Sequence, residues 1–593
     1  MLTIGRHIYL CIFIFCCITI AKATPEYYFK QISLKDGLSE SMVKCVLMDH
    51  EGTIWIGTQF GLNCFDREHV KNYYHEEKDI NSIPDNDICF LVEDSLQNLW
   101  IATARGLVLY NKEKDCFVPV DSGGSRLYVS SYVLMQDGLL FLGRNKFFKY
   151  SYSDKRISAL RISTKENAKV LFEKAALFGP DDNRFLLASR WNGLWEYNIQ
   201  TGNLQRSSLV KEYQIAALLV DSSGCVWVSP YGKGLLGFDR EGNKLCHLVA
   251  PEKLSYNVIL DVKEQDGKIW LATDGGGINI YDKTSGEVTV INHVPGKPGS
   301  LSGDSFYCLY NDPDGNMWAG GIRCGLVGLK EVYLKTYRDA LLNSAYGLSE
   351  KTVSGMYEDK DGTIWLGTDG GGMNRLDPRT GLFRHYPSTY PSKIVSIIDY
   401  SSTELLYSCF GGGLYLFNKQ TGALKEYSVA YPDKFNMLFK QGKSVHLVRL
   451  DEKHFYLLAD SVYLYDQSTR RLSAVKHECK GLTVSSLQEF GKGEEFSFLR
   501  GETDLFELDY SNNTLNPVYS SADSIGTIAA ACKDAKGCFW IGTTIGLFFY
   551  NPVNKTVTAV ENNRFLGTTS LGFDKAGRLW VGTHNGLYAY TPE

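Results

Sequence analysis

Apolar and polar positions alternate along this chain in short runs, and the runs recur in a fixed order. Val43 to Met48 is such a run and predicts an inner strand a. Asp49-His50-Glu51-Gly52 follows as a hairpin turn, in which Asp bonds its own backbone and Gly accepts a positive φ. Ile54 to Thr58 reads as strand b, with successive side chains on opposite faces. Gly61-Leu62 opens strand c, which ends on an aromatic and an Asp or Asn, as in Phe65-Asp66, Tyr110-Asn111 and Tyr281-Asp282. A polar outer strand d, Val70 to His75, completes the unit.

The unit then repeats. The phrase D-x-x-G-x-(I/L/V)-W-(I/L/V)-G-T-x-x-G-L centres in close copies on Trp55, Trp100, Trp227, Trp270, Trp318, Trp365, Trp540 and Trp580. Weaker copies put Phe141, Leu186, Leu406, Tyr456 and Phe498 at the same place. The step is 40 to 50 residues, the length of one four-stranded propeller blade. Eight of the ten Trp share one repeat position, which predicts packing in the wedge between neighbouring blades rather than a cofactor role.

Counting blades gives an all-β architecture of two tandem β-propellers. Seven motif positions precede Val332 to Asp339, and Tyr27 to Ile32 before them reads as an orphan strand d that closes the first ring. A second orphan, Tyr333-Leu334-Lys335-Thr336-Tyr337, opens a series with six positions. Matching phrases follow both orphans, Asp36-Gly37-Leu38-Ser39-Glu40 and Tyr346-Gly347-Leu348-Ser349-Glu350. The expected organisation is a seven-bladed propeller over 24–330 and a second propeller over 331–593. The second ring has either six blades or seven, with the last beyond this sequence.

Composition narrows the function classes. Hydrophobic residues at 44% and charged residues at 22% describe a folded chain, and 57 Gly with 13% aromatics suits short strands and tight turns. A net charge of −5 leaves no positive field to hold a nucleic acid. Residues 1–23 read as a secretory signal peptide. Arg6 supplies the positive start, Ile8 to Ile20 the apolar run, and Ala21-Lys22-Ala23 the cleavage site. No later segment reaches 18 continuous apolar residues. The cysteines outside that peptide show neither C-x-x-C nor zinc spacing and are expected to be mostly buried free thiols. Asp274-Gly275-Gly276-Gly277 lacks the Lys-Ser/Thr of a phosphate loop. Asp312 to Asn316 and Asp359 to Gly362 lack the closing acid of a calcium loop, so no cofactor or metal is expected.

Asp49 to Leu62, Asp361 to Gly372 and Lys536 to Leu547 resemble the two-component-regulator propeller repeat. The resemblance covers essentially the whole chain after the signal peptide. It implies the periplasmic input region of a hybrid histidine kinase that senses oligosaccharides and regulates polysaccharide utilisation. In that family two seven-bladed propellers precede an immunoglobulin-like domain, a membrane helix and a cytoplasmic kinase, followed by receiver and DNA-binding domains. The sequence departs from the pattern at its end, which carries no kinase motif and no phospho-accepting His. The chain is therefore read as a sensor rather than an enzyme. A kinase module is its implied partner, in cis if the chain continues and in trans otherwise, and a homodimer is a further implied assembly. The glycan would favour one arrangement of the propellers over another.

Ligand-binding candidates come from b–c turns that break the consensus. Arg144-Asn145, Arg190-Trp191-Asn192, Tyr231-Gly232-Lys233 and Ile322-Arg323 offer aromatic faces for sugar C–H groups and cations for hydroxyls or carboxylates. The site residues are thus Arg144, Arg190, Trp191, Tyr231, Lys233 and Arg323, in blades three, four, five and seven of one ring. Thr58-Gln59-Phe60-Gly61 reads as an unremarkable turn, and His584 is the one imidazole in such a turn of the second ring. Two other readings stay open. One is a carbohydrate-active lyase or glycosidase, for which no paired acid and base can be placed. The other is a protein-interaction platform.

Overall fold

A computed structural model of the chain describes residues 26–592, apart from 123–124, 144–145, 166–169, 179–182, 212–213, 298–299, 333–336, 338–344, 388–392, 412, 428–444, 459–460, 478–487, 493–495, 502, 521–524, 561–564 and 575. The signal-peptide segment and Arg144 lie outside the described residues, as does all of the second orphan strand except Tyr337. The chain divides into two compact units, Met1–Pro295 with Gly299–Thr336, and Gly296–Pro298 with Tyr337–Glu593. No helix among the described residues is long and apolar enough to cross a membrane.

The first unit is seven four-stranded antiparallel sheets, here blades 1 to 7. Blade 1 runs Val43–Met48, Ile54–Thr58, Gly61–Phe65 and Val70–Tyr73, strands a to d from the inside outward. Blade 7 takes three strands from Phe306–Asn311, Met317–Gly321 and Leu326–Val332. Its fourth is Glu26–Ile32 from the start of the chain, antiparallel, with Glu26 opposite Val332 and Ile32 opposite Leu326. The expected closing strand is therefore in place.

Many of the a–b turns are built on an Asp. In blade 1, Asp49 Oδ1 accepts from the backbone N–H of Thr53 at 2.9 Å while Gly52 sits at φ +85°. Its Oδ2 accepts from Trp55 Nε1 at 2.8 Å. The same Asp–Trp bond recurs at Asp94–Trp100, Asp221–Trp227, Asp312–Trp318, Asp534–Trp540 and Asp574–Trp580. It satisfies an indole N–H that the interblade core would otherwise strand without a partner.

The Trp rings pack as expected. Trp55 meets Ile88 and Ile101 of blade 2, Trp100 meets Leu139 and Phe141 of blade 3, and Trp318 closes the circle on Val46 and Ile56 of blade 1. Neighbouring blades come close at the Gly of the repeat phrase. A Cβ on Gly57 would lie 2.4 Å from Cys45 Sγ and 2.6 Å from Ile88 Cγ2, so the next blade's strand a leaves room for hydrogen alone. One placement is corrected. Gly143 pairs with Lys146, three residues on, as Thr58 pairs with Gly61, so Leu140 rather than Phe141 stands at the Trp position. Phe141 faces back onto blade 2, because a slip of one residue turns a strand side chain to the other face.

The second unit holds six sheets, blades 8 to 13: four are four-stranded, blade 11 gains a short parallel fifth strand, Lys476–His477, and blade 13 has three described strands. Clusters of buried side chains join each blade to the next from 8 to 13. Among the described residues no cluster joins blade 13 to blade 8. The blade 8 cluster of Leu348, Leu366, Leu376 and Phe383 draws only on Tyr337, Val353 and Ile364 besides. Met356 is 66% exposed where its counterpart Val46 is 7%, and Leu587 is 51% exposed where Leu62 is fully covered. Eleven described cysteines are free thiols, but only Cys308, Cys409, Cys532 and Cys538 are buried and the others are half-buried.

An inner strand of this unit carries a titratable histidine. His446, on His446–Arg449, has its imidazole pushed down to about 4 by burial, with the Arg500 charge adding to the effect. An unfolded histidine takes its proton near pH 6.5, so the unfolded chain binds more protons between those values and stability is lost as pH falls through that window. Protection of the 446–458 segment in hydrogen exchange should weaken from pH 7 to pH 4. In His446→Gln that pH dependence should vanish, and its persistence would remove His446 as the cause.

Candidate functional site

In an antiparallel blade the b–c turn and the d–a connection leave from the same end, so these segments of all seven blades form one rim. Six aromatic side chains of the first unit are strongly exposed, from 39% to 66%: Phe60, Tyr74, Tyr128, Trp191, Tyr231 and Tyr256. All six lie in b–c turns or d–a connections. Among the described residues of the second unit only Phe410 compares.

Two of the sequence candidates meet. The Arg190 guanidinium stands over the Tyr231 ring, 5.8 Å from its centroid, and Trp191 follows in the same turn. The turn is held from below by Glu173, whose Oε2 accepts from Arg190 N at 2.9 Å. Burial pushes the Glu173 carboxyl up, with the hydrogen bond from Arg190 only partly opposing it. Lys233 is exposed in the turn after Tyr231, and its carbonyl lies 2.9 Å from His247 Nε2. That turn needs glycine at 234, where φ is +76° and a Cβ would sit 2.1 Å from the Leu248 carbonyl oxygen. Arg323 is exposed in the blade 7 turn. The sequence reading passed over Phe60, Tyr74, Tyr128 and Tyr256. Phe60 and Tyr74 face each other with centroids 6.0 Å apart, and the one legible signal was an aromatic in the Thr58 to Gly61 turn.

Below the rim an ion pair crosses the axis. Lys174 Nζ, at the start of strand a of blade 4 (Lys174–Leu177), lies 2.8 Å from Asp261 Oδ1 on strand a of blade 6 (Ile259–Gln265). Leu309 of blade 7 donates its backbone N–H to the other carboxylate oxygen at 2.9 Å. Burial would raise the Asp261 carboxyl, but Lys174, Lys263 and these hydrogen bonds outweigh it and hold the group below the usual carboxylate range. The arrangement is an aromatic rim with a cation at one side and an ion pair beneath it. It can stack on the faces of a ring-shaped polar ligand and bond its hydroxyls.

Comparison with known proteins agrees with this architecture. The family described as two component regulator propeller matches residues 37–60, 300–323 and 347–370. Histidine kinase P4 of Formosa agariphila is 36% identical over 72 residues, a stretch that covers 12% of this chain and 5% of that protein. Among solved structures, the extracellular domain assigned to the hybrid two component system BT3049 of B. thetaiotaomicron aligns over 95% of this chain and 78% of its own. Its TM-score is 0.60 at 20% identity, a likeness of fold. Matches to the two component regulator propeller repeat thus occur in both units of the chain.

Proposed function

We propose that this chain is the extracytoplasmic sensing region of a two-component histidine kinase system and that the rim of its first unit takes an oligosaccharide. The observation that carries the reading is the gathering of six exposed aromatic side chains on one rim, with Arg190 beside Tyr231. Flat apolar faces beside a cation suit sugars, which present C–H patches and hydroxyls together. The kinase, in cis or in trans, would respond to the ligand only as far as the ligand's affinity differs between two receptor states. A role in switching on polysaccharide utilisation follows from the same reading.

The test is a glycan-binding screen on the purified chain, followed by calorimetry on any hit. Arg190→Ala with Trp191→Ala is expected to weaken binding at least tenfold without changing the melting temperature, since both side chains project from a turn. Binding that survives the double variant would move the site elsewhere, and a screen without hits would remove the sugar.

A further inference from the structure

Blade 8 lacks the Asp–Trp bond that six other blades make. Trp365 is 2% exposed, and its Nε1 is buried without a hydrogen-bond partner. The carboxylate six residues earlier, Asp359, points instead at Lys419 of blade 9, 2.6 Å from its Nζ. Asp361 has taken over the backbone N–H of Thr363 at 2.9 Å. A buried donor without an acceptor is costly, so such a group needs an explanation.

The strand register supplies one. Trp365 lies opposite Arg375 on strand c, and Arg375 lies opposite Arg384 on strand d, so all three share one face. The same row reads Trp55, Cys64, Lys71 in blade 1, Trp100, Leu109, Val118 in blade 2 and Trp540, Phe549, Thr558 in blade 12. Arg375 stands over the Trp365 ring at 5.9 Å and Arg384 over Tyr386 at 5.1 Å. The row opens into a cavity of about 770 Å³ that reaches to Tyr400 and Arg449 of the next two blades. Asp399, Asp361 and Glu452 also line it, but Lys419 already neutralises Asp359 and the Arg375–Arg384 side is cationic. Trp270, whose indole N–H is likewise unpartnered, lacks this setting, because its row continues with Ile280 and Thr289.

We infer that this cleft of the second unit is a second ligand site, which binds a small molecule through an anionic group, carboxylate or sulfate, accepted by Arg375, Arg384 and the Trp365 indole N–H. Two guanidinium forks match the oxygens of such a group, and the indole donates a third bond. The site lies among blades 8 to 10 of the second unit, and the inference does not depend on what the rim of the first unit binds.

Glucuronate and inorganic sulfate are the probes, with glucose as the uncharged control, titrated calorimetrically into the full chain. In parallel, ¹⁹F spectra of protein labelled with 5-fluorotryptophan report on Trp365, whose resonance is the one missing from Trp365→Phe. Saturable binding of either anion, with a shift of that resonance, is expected. Arg375→Gln with Arg384→Gln should weaken it at least tenfold at unchanged melting temperature, and Trp365→Phe several-fold. Absence of saturable binding by both anions, equal binding of glucose, or binding that survives the double Arg variant would overturn the assignment.

Discussion

Replacing Asp261 by alanine is expected to destabilise the first unit by about 3 kcal/mol, the low end for breaking a buried pair, because the Lys174 cation left without its partner is only half-buried. Lys174 Nζ would keep its place at the axis, since its strand is fixed by blade 4, and would lose the carboxylate 2.8 Å away. The Leu309 N–H would lose its acceptor in the same step. The pair Lys174→Met with Asp261→Leu should be far milder, because apolar groups of similar size fill the space without a stranded charge. Acid gives an independent check of sign. A carboxyl held below its ordinary range contributes stability that is complete above about pH 4 and is lost as pH falls through the lowered value. Denaturant titration of the full chain reads both effects. A loss below about 1 kcal/mol in Asp261→Ala would show that water in the channel already carries the Lys174 charge.

The second large effect should come from Asp94. This carboxylate is 4% exposed and accepts from Trp100 Nε1 at 2.8 Å, from Asn98 N at 2.9 Å and from Leu96 N at 2.9 Å. Alanine there removes the acceptor of a buried indole and two turn N–H groups, and a loss of about 3 kcal/mol is expected from their desolvation. Asp359 is the contrasting case. It has the same place in the repeat but no bond to its Trp, so Asp359→Ala forfeits mainly the Lys419 pair and should cost less than half as much. Equal losses at the two sites would mean that the turn backbone, not the indole, is what the Asp holds.

The repeat phrase made the blades legible because its elements answer to local physics: an Asp that bonds its own turn, a Gly where the next blade approaches, and a Trp that fills a wedge. The closing strand Tyr27 to Ile32 was legible for a related reason, being a strand with no partner nearby in sequence. Phe141 was misplaced by one residue because blade 3 lacks the Trp that marks the register, and only the Gly143–Lys146 pairing fixes it. The rim was half legible. Arg190, Trp191 and Tyr231 stood out against the consensus of their turns, whereas Tyr74, Tyr128 and Tyr256 lie in d–a connections that have no consensus to break. Their exposure depends on how each connection folds over its neighbour. Arg375 and Arg384 were invisible for another reason. On strands c and d a charged residue looks like an outward position until the register sets it opposite Trp365.

The pairing of Glu26–Ile32 with Leu326–Val332 means that the first unit has no loose end from which to unravel. A stack of repeats can melt one member at a time from an exposed terminus, because each touches only its neighbours. A ring clasped by its own first and last strands offers no such starting point, and opening it anywhere forfeits contacts on two sides at once. Synthesis has a matching constraint. The segment that completes blade 7 leaves the ribosome first and must wait, unpaired, until every other blade of the ring has been made.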